Sequence, residues 1–332
     1  MILAGDVGGT KTLLAMFEPG GAGAPGLTPR HEESFACADF ASLAEVIARF
    51  LATRALAPSS IRAACFGVAG PVDAGVARIT NLPWVIDAAS LSAQLAGAPV
   101  SLLNDLQATA LGALALPPAS FAILQPGTSQ PPAGATVAVV APGTGLGESL
   151  LVSLDGAYHA LPSEAGHADL APTTEEHLAI WRFLRRRHGD HVSVERALCG
   201  DGLGDLHDYV RELDGAAEPP WLREARDRNA AISEAALRDA DAACARALEL
   251  FVELLGAEAG NLALRGLARG GVILGGGIPP KILPALQRPR FLAAFRAKGR
   301  FTDWLAGLEV KVALEPRAAL LGAARQAAAR AR

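Results

Sequence analysis

Apolar residues fall into two rhythms along this chain, and the alternation between them predicts its layout. Ile2-Leu3-Ala4 is a short continuous run that leads into Gly5-Asp6-Val7-Gly8-Gly9-Thr10-Lys11-Thr12, and Leu13 to Phe17 is a second run directly after. This predicts strand, glycine turn, strand, with Gly8-Gly9 expected to supply the positive φ of a tight hairpin. Leu43, Val46, Ile47, Phe50 and Leu51 repeat at helical spacing and predict a helix within 40–56. Ile61 to Val68 follows as a buried strand, then a helix near 88–95, a strand over Val100 to Leu103, and a helix from Leu106 to Leu116, with Asn104-Asp105 at the strand's carboxyl end. Strands alternating with helices imply a largely parallel α/β sheet, in which ligands sit beyond the carboxyl ends of the strands.

Residues 117–134 are proline-rich and weakly patterned, which predicts a crossing between domains. Beyond them the opening theme returns: Thr136 to Val140, a glycine turn from Ala141 to Gly147, and Glu148 to Leu154. Such duplication predicts two α/β domains whose hairpins face each other across a cleft. After an irregular stretch to Pro172, a helix is expected from a capping box at Thr173 and Glu176 to His188, stopped by Gly189, with a short helix following Ser193. Helical spacing over 232–264 breaks near Asp239, and Gly270 to Ile278 reads as a strand with a third glycine turn. A strand near Val310 and an alanine-rich helix from about Pro316 close the chain, the helix being expected to return to the first domain. The expected partition is residues 1–115 with 312–332 in a small domain and 116–311 in a large one.

The glycine turns suggest chemistry. Bare glycines leave backbone amides open to a ligand, and an aspartate entering such a turn suits a nucleotide phosphate with its Mg²⁺: Asp6 toward the metal shell, the amides with Thr10 or Lys11 toward oxygens. A plain Gly-Gly hairpin fits the same residues. Two better-known phosphate motifs do not: Thr10 breaks the P-loop pattern before Lys11, and Glu148 replaces the last glycine of the dinucleotide pattern begun by Gly143 and Gly145. Asp105 is the candidate reacting group, because phosphoryl transfer to an alcohol needs a carboxylate within reach of the hydroxyl proton. Asn-Asp at a helix start also serves as a simple cap. Glu164 and His167, with Asp169 close behind, are too loosely spaced for a metal cluster but suit sugar hydroxyls, and a polar surface loop accounts for them equally. Glu195 reads locally as a carboxylate in a helix's first turn. His31, His159, His177, His188, His191 and His207 read as solvated, as do Arg185-Arg186-Arg187 and Lys298-Gly299-Arg300.

Composition narrows the classes. The 332 residues are 51% hydrophobic, enough for substantial cores, and a net charge of −4 with interspersed signs gives no basic face for nucleic acid. Cys37, Cys65, Cys199 and Cys244 are far apart, with no C-x-x-C pair and no histidine placed to complete a zinc site, which predicts buried thiols in a reducing compartment. No apolar run is long enough and uncharged enough to span a membrane, and Asp6 interrupts any signal-peptide core, so a soluble cytoplasmic protein is expected.

The order of these motifs carries a resemblance. Gly5-Asp6-Val7-Gly8-Gly9-Thr10, Asn81-Leu82-Pro83-Trp84, Leu103-Asn104-Asp105, Gly143-Thr144-Gly145-Leu146-Gly147, Glu164-Ala165-Gly166-His167-Ala168-Asp169-Leu170-Ala171-Pro172, Glu195-Arg196 and Gly275-Gly276-Gly277-Ile278 together resemble bacterial glucokinase over almost the whole chain. The resemblance implies an α/β, two-domain actin-like ATPase (ribonuclease H-like) fold with a central cleft, often dimeric, phosphorylating D-glucose with ATP and Mg²⁺. It further implies Asp105 as general base for the 6-hydroxyl, and Asn104, Glu164, His167 and Glu195 on the other hydroxyls. Asp6, Gly8, Gly9, Thr10 and Lys11, with Gly143, Thr144, Gly145 and Gly147, would face the phosphates and metal, Asp6 through water, while Gly275, Gly276 and Gly277 would face the adenosine. Ala165 departs from the family, many members of which carry a second glycine there. The Cys-rich zinc motif of the related repressor and open-reading-frame kinase family is absent. A kinase for fructose, mannose or glucosamine, a non-catalytic sugar sensor, and a mechanical ATPase remain as alternatives, as do donors such as polyphosphate or ADP.

Overall fold

Strand β1 (Ile2–Val7) alternates its side chains between two faces that are both buried, so the opening run is apolar throughout rather than at every second residue. Leu3 and Val7 join one core with Leu14, Met16 and Phe66, while Ile2 and Ala4 join another with Phe17, Leu320 and Ala324. The computed structural model describes residues 1–19, 26–79, 82–128 and 130–331, and Asn81 and residues 20–25 of the expected loop lie outside them. By contact the chain divides into two units, Met1–Pro117 with Glu315–Arg332, and Pro118–Leu314.

In the first unit β1 pairs antiparallel with β2 (Lys11–Pro19), which pairs with β3 (Leu27–Ala36), and on its other side β1 runs parallel to β4 (Ala63–Val68). A small separate sheet holds β5 (Val72–Asp73), β6 (Val76–Arg78) and β7 (Val85–Asp87), and β8 (Val100–Asn104) then completes the main sheet beside β4. The terminal helix Ala318–Arg330 lies against the helix Asp105–Ala113 at backbone distance. A Cβ on Gly322 would fall 1.8 Å from the Ala108 carbonyl oxygen, and one on Gly112 1.7 Å from that of Ala318, so both positions demand glycine.

The second unit repeats the plan. Strands β9 (Phe121–Gln125), β10 (Val137–Pro142), β11 (Leu146–Leu154), β12 (Ala157–Ala160), β13 (Val272–Leu274) and β14 (Val310–Ala313) form one sheet in the order β12-β11-β10-β13-β14-β9. As in the first sheet, an antiparallel hairpin is followed by two parallel neighbours.

Several expectations are corrected. The 117–134 stretch is not a bare crossing: Phe121–Gln125 is a strand, because four of its five residues pair antiparallel with β14. Since Val312 and Ala313 belong to that ladder, the chain rejoins the first unit at Glu315 rather than 312. Thr174, not Thr173, caps the helix Glu175–His188 by accepting from His177 N, and the Thr173 hydroxyl meets His177 Nδ1 at 2.9 Å. A helix at Gly200–Asp214, with glycines at 200, 202 and 204, was not expected at all. It buries His207 completely, and His177 is 3% exposed, so neither is solvated. All four cysteines are buried free thiols. Among the described residues no helix is long and apolar enough to cross a membrane.

Candidate active site

The first unit gathers its polar residues at the carboxyl ends of three parallel strands. Asp6 stands opposite Gly67, which stands opposite Leu103, and one step further Val7, Val68 and Asn104 form a row. Asp6 and Asp105 therefore flank that row from before and after. A Cβ on Gly67 would come within 2.9 Å of Ala108 Cβ and 3.9 Å of Asp105 Cα, so the bare glycine lets the helix begin against the sheet.

Asn104 is a complete cap. Its Oδ1 accepts from Leu106 N at 2.9 Å, its Nδ2 donates to the Gly70 carbonyl at 3.1 Å, and Gln107 Oε1 accepts from Asn104 N at 3.1 Å. Its Oδ1 also accepts from Gln107 N in a capping box, so one amide hydrogen of Asn104 is left for a ligand. Asp105 is exposed, with Leu106 N donating to its Oδ1 at 2.8 Å. The Asp6 carboxyl is pushed up to about 6, by burial first and then by the negative charge of Asp105, with Lys11 opposing. A shared negative field at the strand ends is thus built into this unit.

The opening turn differs from its expected geometry. Neither Gly8 nor Gly9 takes a positive φ. Gly8 N donates to the Lys11 carbonyl at 3.0 Å, and a Cβ on Gly8 would meet that oxygen at 3.2 Å, so the turn needs room there rather than left-handed backbone. Thr10 and Lys11 are exposed.

In the second unit the glycine turn spans only residues 143–145, since Gly147 already pairs with Ala141 inside the hairpin. Gly143 N donates to the Gly145 carbonyl at 2.8 Å, and no other atom lies within 4 Å of where a Gly143 Cβ would stand. Thr144 is exposed beside it. Leu146 N donates to Glu195 Oε2 at 2.8 Å, and a Cβ on Gly145 would sit 2.5 Å from that same oxygen. Glu195 is therefore more than a first-turn carboxylate, because it fixes the turn from 49 residues away. Gly166 completes the contact: its Cβ position lies 2.1 Å from the Leu146 carbonyl oxygen.

Backbone bonds hold the Glu164 loop to the Glu195 turn. Leu170 N donates to the Val192 carbonyl and Val194 N to that of Ala168, both at 2.9 Å, around the bridge Asp169–Ser193. Glu164 and His167 project from this frame with 70% and 60% of their side chains exposed, Oε2 and Nε2 4.0 Å apart. Asp169 separates from them and pairs with His191. The third glycine turn adjoins the second, since Gly275 N donates to the Val140 carbonyl at 2.9 Å and Ile278 N to that of Pro142 at 3.3 Å. Gly276 has φ 78° and no room for a Cβ, which would lie 2.5 Å from the Pro142 oxygen. Gly277 is exposed, with nothing near its Cβ position.

Sequence reasoning passed over Glu148. It is 0% exposed, neither carboxyl oxygen has a hydrogen-bond partner among the described residues, and its carboxyl is pushed up to about 8 by burial and then by the charge of Glu258, Arg265 opposing. Its position in β11, next to Gly147, was the available signal.

The glucokinase family model matches residues 3–330. The chain belongs to the glucokinase family. It is 38% identical to glucokinase of Nostoc sp. over 98% of both chains, and 40% identical to that of Aromatoleum aromaticum over 97% of this chain and 93% of the relative. Among solved structures, a glucokinase from an Antarctic psychrotroph superposes with TM-score 0.86 at 30% identity, covering 99% of this chain and 98% of the other. The fold is the actin-like ATPase fold expected of glucokinases, and each unit carries the hairpin-plus-parallel-strands plan described above.

Proposed function

We propose that this chain transfers the γ-phosphoryl group of ATP to the 6-hydroxyl of D-glucose, with Asp105 as the general base. The observation that carries the proposal is the exposed Asp105 carboxylate at the sheet's carboxyl end, close enough to Asp6 to perturb it, in a chain of the glucokinase family. Asp105 takes the 6-hydroxyl proton as that oxygen bonds to phosphorus and the bond to the ADP oxygen breaks. Removing the proton makes the sugar oxygen a competent nucleophile.

The remaining hydroxyls are held by Asn104, Glu164, His167 and Glu195. Asn104 offers its one spare amide hydrogen, and Glu195 offers Oε1, Oε2 being committed to Leu146 N. Glu164 and His167 present acceptors and a donor from a loop whose ends are fastened by backbone bonds. The glycine turns at Gly8-Gly9 and Gly143 to Gly145, with Thr10, Lys11 and Thr144, meet the phosphates, and Gly275 to Gly277 leave space against the adenosine.

A magnesium ion fits the first unit: Asp6 is an oxygen ligand whose ionised form is disfavoured by the nearby Asp105 charge, and a hard cation relieves that repulsion. Asp6 would hold it through water. When bound, magnesium neutralises charge on the phosphates.

A coupled assay across sugars and donors tests the proposal. Turnover should require sugar, with glucose and ATP the preferred pair over fructose, mannose, glucosamine, ADP and polyphosphate. Sugar-independent ATP hydrolysis at the same rate would contradict it.

A further inference from the structure

Away from the residues assigned to phosphoryl transfer, the helical part of the second unit brings together three side chains of metal-binding type. His207 comes from the helix Gly200–Asp214, and Asp241 and Cys244 from the N-cap and first turn of the helix Ala242–Arg265. One ligand atom from each lies within 4.8 Å of the others. His207 and Cys244 are both 0% exposed. His207 Nε2 is buried with no hydrogen-bond partner among the described residues, a costly state for an imidazole nitrogen.

The other ring nitrogen is occupied. His207 Nδ1 lies 3.3 Å from Arg228 Nη2 and 3.8 Å from Asp208 Oδ1. Nε2 is the ring nitrogen left without a partner among the described residues.

We propose that His207, Asp241 and Cys244 form a structural site for a zinc-class divalent cation. The donor set of one imidazole nitrogen, one thiolate and one carboxylate oxygen suits zinc, with a fourth position for water. Ligand atoms on a tetrahedral zinc stand about 3.5 Å apart, so the three side chains need to close by only about 1 Å. Asp241 caps the helix through Oδ1, which accepts from Cys244 N at 2.9 Å, and its carboxylate also meets the Cys244 thiol.

Charge balance is favourable. The ionised groups around the cluster are Asp241, Asp208, Glu218, Arg228 and Arg211, with Arg228 paired to Asp208 and Glu218. Their sum is one negative charge. Binding zinc and releasing the Cys244 thiol proton to solvent brings the cluster to neutrality.

The test uses the full chain, stripped with chelator and given zinc or cobalt chloride alone. One zinc per chain should survive gel filtration, zinc but not magnesium should raise the thermal midpoint, and cobalt should give a near-ultraviolet thiolate charge-transfer band. Cys244→Ala should abolish the band and weaken zinc binding at least about 100-fold, and His207→Asn should weaken it about as much. The wild-type measurements stand even if a variant folds poorly. No retained zinc and no band in the wild type, or a band that survives Cys244→Ala, overturns the proposal.

Discussion

Replacing Glu148 by Gln should stabilise this protein at alkaline pH and leave it nearly unchanged in mild acid. Glu258 nearby is well served, since Arg265 donates to its Oε1 at 2.7 Å and Asn261 to its Oε2 at 2.8 Å. Glu148 has neither, so it carries the cost of burial and the repulsion of Glu258 alone. Its carboxyl stands at about 8 in the fold against an ordinary 4.5. Between those values the folded chain keeps a proton that the unfolded chain has lost, so stability is full below the unfolded value and falls as pH rises through the folded one. Each pH unit removes about 1.4 kcal/mol, which gives about 3 kcal/mol by pH 7 and a ceiling of about 5 kcal/mol above pH 8. Water entering around the ionised group lowers that ceiling, so the expected plateau is about 2–5 kcal/mol. Glutamine copies the shape and neutrality of the protonated acid but cannot ionise. Denaturant unfolding of both proteins from about pH 5 to about pH 9 measures the difference, and shifts common to both, such as that of Asp6, cancel. Parallel stability curves across that range would refute the burial argument.

Two further predictions concern glycines that make room for other atoms. Gly145→Ala drives a Cβ to 2.5 Å from Glu195 Oε2, displacing the carboxylate from Leu146 N. Loss of one charge-assisted bond of about 1.5–3 kcal/mol should raise the glucose KM about 10- to 100-fold in steady-state assays. Gly322→Ala places a Cβ 1.8 Å from the Ala108 carbonyl oxygen, forcing the terminal helix off its neighbour. It should cost more than about 3 kcal/mol in denaturation experiments, while Ala323, already buried as alanine in the same helix, shows that size alone is not the obstacle.

Much of the scaffold could be read in advance because both sheets bury two faces, which makes their inner strands continuous apolar runs ended by glycine. The hairpins at Gly8 and Gly143, the strand ending at Asn104, and the resemblance to glucokinases all follow from that local code, and the family and fold stand as expected. The failures have a common cause in close backbone and side-chain contacts that no local sequence pattern displays. Gly8 is required by the Lys11 carbonyl rather than by φ, and Gly145 and Gly166 by Glu195 and Leu146. Gly202 and Gly204 lower the helix propensity of 200–214, and glycine stands there because Ala197 and Asn229 approach where side chains would be. His207 looked solvated and Cys244 looked isolated because residues 37 positions apart on different helices share no local pattern. Glu148 looked like an ordinary strand residue, and its burial becomes visible only once Glu258 is packed beside it.

The central claim is that Asp105 removes the proton of the sugar hydroxyl, and Asp105→Asn tests it most directly. Asparagine preserves shape and a helix-start residue but cannot accept a proton, and general-base removal costs about 10²–10⁴ in rate. Turnover should fall by at least that factor while calorimetry shows glucose bound within a few-fold of the wild-type affinity. An Asp105→Asn protein that phosphorylates glucose at near wild-type rate would contradict the account.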